Sequence, residues 1–365
     1  CLALILLVMP REQRAGRLAA VDFPGALLCA CGLAGPVFAL IEQPRLGWSN
    51  GAVLGPLLGG LLLMGAFLRR EARARSPMLP LGLFARRNFS VGNLQTLTMY
   101  AGLACVSFFV TLFLQQIGGY SPLQSGLATM PITFVMLVLS RRFGALADRF
   151  GPRLLMGCGP LVSAVGLLLF VRVGAHVDYI SDVLPALLVF ALGLAMTVAP
   201  LTAAVLADVS ERQAGIASAV NNAIARVAAL LATAAVGAAV AASFGSALDS
   251  RLASVPLDGA ARAAVADAKR LPLGRPSLRG VPAVQARTVT AAAERASVHS
   301  FHVGLSIAAT LLALGGLTGL AGIRNPRRVV HAAECEGGQL VGAPLDAAGC
   351  SEEPAREPVG MGQSS

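Results

Sequence analysis

GALADRFGPR, the ten residues from Gly144 to Arg153, lies between two long apolar segments. Gly144 and Gly151 allow tight turns. Asp148 is an acid among Arg141, Arg142, Arg149 and Arg153. Arginines pinned between hydrophobic spans belong on the cytoplasmic face of a membrane protein, because cationic loops resist translocation. The stretch therefore reads as a short cytoplasmic hairpin joining two membrane helices.

The composition around it agrees. The chain is 55% hydrophobic and only 13% charged, with a mean hydropathy of +0.70. A soluble domain carries about 25% charged residues. The net charge of +10 is spread over short loops rather than gathered on one face, which argues against nucleic acid and for cationic loops beside anionic lipid. The seven cysteines form no C-x-x-C pair and no ligand spacing with histidine. The four histidines, His176, His299, His302 and His331, fall in loops or at span edges. No H-E-x-x-H, G-x-S-x-G or phosphate-binding Gly-Lys loop occurs, so neither enzyme chemistry nor a cofactor is expected.

Eight full spans are expected, at about 22–42, 51–68, 91–115, 123–139, 154–173, 183–206, 214–243 and 301–322. Each approaches the length that about 30 Å of hydrocarbon demands at 1.5 Å per residue. The segment 123–139 is short enough to need its flanks. The opening run CLALILLVM, residues 1–9, is too short to span and is expected to be the end of a helix whose start is missing. The fold class is thus an all-α, polytopic transmembrane bundle.

Loop charge alternates. Arg11, Arg14 and Arg17 follow the opening run, six arginines lie in 69–90, and Arg324, Arg327 and Arg328 begin the tail, whereas 116–122 and 174–182 carry no Arg or Lys. The positive-inside rule places the arginine-rich loops and the C-terminus in the cytoplasm. The segment 244–300 is long enough to translocate despite its charge. It is expected outside as a loop with two short helices between Pro256, Pro272, Pro276 and Pro282. The tail 324–365 is polar and is expected to be a disordered cytoplasmic segment.

Gln115 to Pro131 reads QQIGGYSPLQSGLATMP. With the hairpin after it, this resembles the major facilitator superfamily, in its branch of 14-span drug:proton antiporters (the EmrB/QacA type). The hairpin looks like that superfamily's loop motif G-x-L-a-D-R-x-G-x-R. Further matches are RRNFSVGNLQTLTMY from Arg86 to Tyr100, the stretch from Pro200 to Arg226, and IRNP from Ile323 to Pro326. The resemblance covers residues 1 to about 328 and lacks the family's first five and a half spans. It implies that 22–68 are two extra linking helices and that 91–323 is the C-terminal six-helix transporter bundle. GAVLGPLLGG, from Gly51 to Gly60, fits the letters of an antiporter signature but stands in the wrong span. It reads instead as a small-residue ladder for close helix contact.

The resemblance also implies function: export of lipophilic drugs or metabolites from a cell membrane in exchange for protons. A specific-solute transporter and a non-transporting remnant or partner subunit are the alternatives. Gly144, Asp148, Arg149, Gly151 and Arg153 are the candidate cytoplasmic gate, against the plainer reading of a turn held inside by its charge. Candidate cavity residues are Gln95, Tyr100, Gln115, Asn221, Asn222 and Arg226, since polar groups deep in a span face a cavity or a partner helix. Asn222 and Arg226, four apart, share a face. No acid stands at mid-depth, so the proton carrier is not among the residues read here.

Overall fold

The computed structural model describes residues 22–74, 77, 79, 81–174, 177–207, 209, 211–270 and 277–325. The expectations for residues 1–9, for Arg11, Arg14 and Arg17, and for the tail beyond Asn325 lie outside them.

The described residues are mainly helical, with no strand among them: α1 (Phe23–Leu46), α2 (Gly51–Glu71), α3 (Arg87–Gln116), α4 (Pro122–Phe150), α5 (Pro152–Leu169), α6 (Leu184–Ala207), α7 (Glu211–Leu252), α8 (Gly259–Arg270) and α9 (Ala283–Gly322). All but α8 are long and apolar enough to cross a membrane, eight among the described residues. The backbone satisfies itself along each helix, which is what an apolar solvent requires.

Caps fix the junctions. Asn50 accepts the N–H of Ala52 at 2.8 Å to open α2. Ser121 and Gln124 form a reciprocal capping box that opens α4. Gly151 alone, at φ +87°, ends α4 and begins α5. Glu71, buried at the end of α2, accepts the N–H of Leu79 at 3.0 Å and so fixes the path toward α3.

Packing follows the small residues, because lipid supplies no hydrophobic drive between helices and close backbone approach must. A side chain at Gly193 of α6 would meet the backbone of Gly159 and Ser163 in α5, and one at Gly166 would meet the backbone of Phe190. Gly316 of α9 lies against the carbonyl of Gly157, and Gly102 of α3 against Leu312. Helix α9 therefore touches α3, α5 and α7, while α4 leans on α6. Toward one end, Phe113 of α3 and Phe301 of α9 stack with centroids 4.0 Å apart, and Phe170 meets Phe301 edge-on. Helices α1 and α2 form a separate hairpin, closed by Gly35 against Pro56 and Gly60, that touches the rest mainly through α7.

Two expectations are corrected. First, 244–300 is not a loop with two short helices. Helix α7 runs on to Leu252, α9 already starts at Ala283, and among the described residues between them only α8 is a separate helix. Alanine-rich sequence continues a helix until something stops it; Pro256 lies just past α7 and Pro282 caps α9. Phe244 and Leu248 of α7, Ala268 of α8 and Ala292, Ala293 and Ala296 of α9 make a small core there. Second, the GALADRFGPR hairpin is not a ten-residue loop. Helix α4 continues through Gly144 to Phe150, and the turn is Gly151 alone.

Candidate functional site

At the end of the bundle that holds Gly151, three helix termini are tied together. The last turn of α9 leaves carbonyls without helical partners. Arg87, the first residue of α3, donates Nε to Gly322 O at 2.7 Å and Nη2 to Ala321 O at 3.0 Å. Arg153, in the first turn of α5, donates Nε to Leu320 O at 2.7 Å. Both cations also face the negative end of the α9 dipole. Asn88 donates to Arg324 O at 3.1 Å and accepts the Arg324 N–H at 2.9 Å.

Asn325 completes the knot. Its Oδ1 accepts the Arg153 N–H at 3.1 Å, and its Nδ2 donates to Phe150 O at 3.4 Å. It thus binds both sides of the Gly151 turn. A side chain on Gly151 would collide with Asn325, and its φ already lies where only glycine is comfortable. The motif IRNP was visible in the sequence, but nothing in it announced that its Asn holds this turn.

Asp148, the acid of the candidate gate, sits on a helix rather than in a loop. It lies within α4, near its C-terminus, not at the start of the next helix, so no favourable N-terminal dipole faces it. It is exposed and, among the described residues, has no hydrogen bond or ion pair. Arg153 is committed to α9, and Arg149 lies over the Phe150 ring, 5.3 Å from its centroid. The carboxylate is presented outward, free to meet another surface.

The candidate cavity residues separate onto different faces. Gln95 is fully buried, and its Nε2 donates to the Met156 carbonyl of α5 beside Gly319 of α9. It joins helices rather than lining open space. Asn221 meets Thr96, whose hydroxyl donates to its Oδ1 at 2.8 Å and couples α3 to α7. Tyr100 is half-buried against the main core, and Gln115 is half-buried at the end of α3. Asn222 and Arg226 are exposed on one face of α7, without partners among the described residues. The six do not gather at one cavity, because adjacent residues on a helix point about 100° apart and α3 is packed against α6, α7 and α9 at once.

Among the described residues, no group of three His, Cys, Asp or Glu side chains could hold a metal ion. At the same end as the knot, Asp22 caps α1 and receives Arg70 of α2 through Nε at 3.0 Å and Nη2 at 2.8 Å. Its carboxyl is held below the usual carboxylate range, first by the Arg70 hydrogen bond and then by the Gly25 N–H.

Eight long apolar helices packed through glycine define a multi-pass membrane protein of the helical-bundle class. The Major Facilitator Superfamily model matches residues 1–233, and the chain belongs to that family. The puromycin resistance protein pur8 of Streptomyces alboniger is 34% identical over 218 residues, 59% of this chain and 43% of the relative. The cephamycin export protein CmcT of Amycolatopsis lactamdurans is 34% identical over 223 residues, 60% of this chain and 46% of the relative. The methylenomycin A resistance protein of Bacillus subtilis (strain 168) is 30% identical over 213 residues. The chain spans less than half the length of these curated relatives.

Proposed function

We propose that this chain belongs to a transporter that exports lipophilic drugs or metabolites from the cell in exchange for protons, in the 14-span drug:proton antiporter branch. In this reading α3 to α7 and α9 act as one of the two bundles that rock around a midplane site. Helices α1 and α2 are the linking pair. Similarity to relatives named for antibiotic resistance or export supports the substrate class.

The observation that carries the mechanism is the contrast at Asp148. Arg153 and Asn325 are spent on the α9 knot and Arg149 lies over Phe150, while the Asp148 carboxylate is exposed and unpaired among the described residues. A charge so presented can close a contact with a second bundle and release it as access alternates. Gly151, Arg153 and Asn325 hold the platform from which it acts.

The test is drug accumulation in intact cells producing the protein. Asp148→Asn should lose most of the export while the protein's amount in the membrane stays near normal, and Asp148→Glu should retain part of it. Normal export by the Asn variant would reduce the motif to a sidedness signal.

Orientation follows from the arginines at the Gly151 end, which the positive-inside rule puts in the cytoplasm. The α7–α8–α9 extension then lies outside. A single Cys at Ser277, in a Cys-free background, should react with a membrane-impermeant maleimide on intact cells. Protection until lysis would invert the topology.

A further inference from the structure

Helix α7 carries a feature that the gate at Asp148 does not use. Between it and α1 lies an open groove of about 920 Å³, a size that suits a drug-sized ligand. Leu230 and Gly237 line it from α7, Ile41 from α1, and Phe108 from α3. At 100° per residue, Arg226 and Asn222 continue the stripe of Leu230 and Gly237 toward the Glu211 end of the helix. The apolar groove therefore runs along one helix face into an amide and a guanidinium.

Charge decides what it can take. Glu42, the acid that lines it, and Asp249, which holds the lining Lys269, are already paired. Glu42 lies 3.6 Å from Arg45, and Lys269 donates to Asp249 at 2.7 Å. Arg226, about four turns into α7, is exposed with no anionic partner among the described residues. A cation entering the groove finds no free carboxylate. An anion finds an unpaired guanidinium, the side chain best shaped for a carboxylate or phosphate fork. An apolar tail on that anion finds Leu230, Phe108 and Ile41.

We propose that this groove binds amphiphilic anions, with a carboxylate or phosphate head on Arg226 and Asn222 and the apolar body between α1 and α7. The proposal deepens the export reading, on which it rests for its physiological meaning, by naming the charge class of the substrate. It is tested by binding alone, so a failure of export and a failure of anion recognition are seen separately.

The chain has one tryptophan, Trp48, two residues beyond the groove-lining Leu46. It serves as an energy donor to a dansyl probe. The purified full chain in lipid nanodiscs is titrated with 11-(dansylamino)undecanoate, its methyl ester and the matched trimethylammonium cation. Saturable transfer is expected for the carboxylate at an affinity at least tenfold above the other two. Arg226→Gln should erase that preference and Arg226→Lys should keep most of it. A side chain at Gly237 would meet nothing within 4 Å, so Gly237→Leu should fill the groove, leave the fold intact, and abolish saturable transfer from all three probes. No saturable transfer in the parent, equal affinity for the three probes, an anion preference that survives Arg226→Gln, or binding unchanged by Gly237→Leu would each overturn the proposal.

Discussion

Helices α4 and α5 are neighbours in sequence, joined by the single residue Gly151, yet they are built for opposite surroundings. In the most apolar stretch of α4 only 11% of the residues are buried, against 56% in α5. Helix α5 meets α6 and α9 through Gly157, Gly159 and Gly166, where backbones nearly touch. Helix α4 turns Leu123, Leu127, Met130, Phe134 and Leu137 outward. Helix α5 is also the more apolar, at a mean hydropathy of 2.3 against 1.6, but its closest contacts fall at its glycines. In lipid an exposed leucine is at home, so close packing is set by where the chain omits side chains.

The sharpest break of this contrast is Gly166→Leu against Leu137→Ala. The leucine would collide with the Phe190 backbone, which cannot move aside as a side chain can. We expect a loss of at least about 3 kcal/mol, or no folded protein. Leu137 is 78% exposed, and its truncation should stay within about 0.5 kcal/mol. Thermal unfolding in one detergent compares them, and equal losses would refute the size argument.

Next in magnitude is the junction itself. Gly151→Ala adds a side chain at positive φ and against Asn325, and should cost about 1–3 kcal/mol. Asn325→Ala removes two hydrogen bonds at the surface of the knot and should cost about 1 kcal/mol. If Gly151→Ala unfolds at the parent temperature, α4 and α5 do not depend on this turn.

The smallest effect is a pH dependence of the α1–α2 clasp. Asp22 has a folded pKa below its unfolded value of about 3.9. Its contribution is complete above that value and is lost as pH falls through the lower folded pKa. The unfolding temperature of the parent should drop slightly more between pH 5 and pH 3 than that of Asp22→Asn, since the pair is exposed and screened. Identical pH profiles would show that the clasp adds nothing.

Span number and place were legible in the sequence because a helix must hide its backbone over a fixed thickness, and apolar runs near that length have no other use. The ends of α7 and α9 were not, because alanine is both apolar enough to be read as membrane and helical enough to continue beyond it. The polar residues proved hardest. Gln95, Asn221 and Arg226 stand out in the sequence as polar residues within long helices, but their facing depends on helix rotation, which uniformly apolar helices do not write into their pattern. Asn325 was missed for another reason: its partners are Phe150 and Arg153, far away in sequence, and only the fold brings them together.

Helices α7 and α9 have 42 and 40 residues, roughly 60 Å each at 1.5 Å per residue, twice the thickness of hydrocarbon. Their surplus turns converge at one end on α8 and share a core with it. A small membrane protein usually offers electron microscopy little beyond a featureless micelle. Here a three-helix turret, rigidly continuous with two spans, breaks that symmetry. It gives image alignment a landmark and antibody fragments a folded epitope whose register reports the tilt of the helices beneath it.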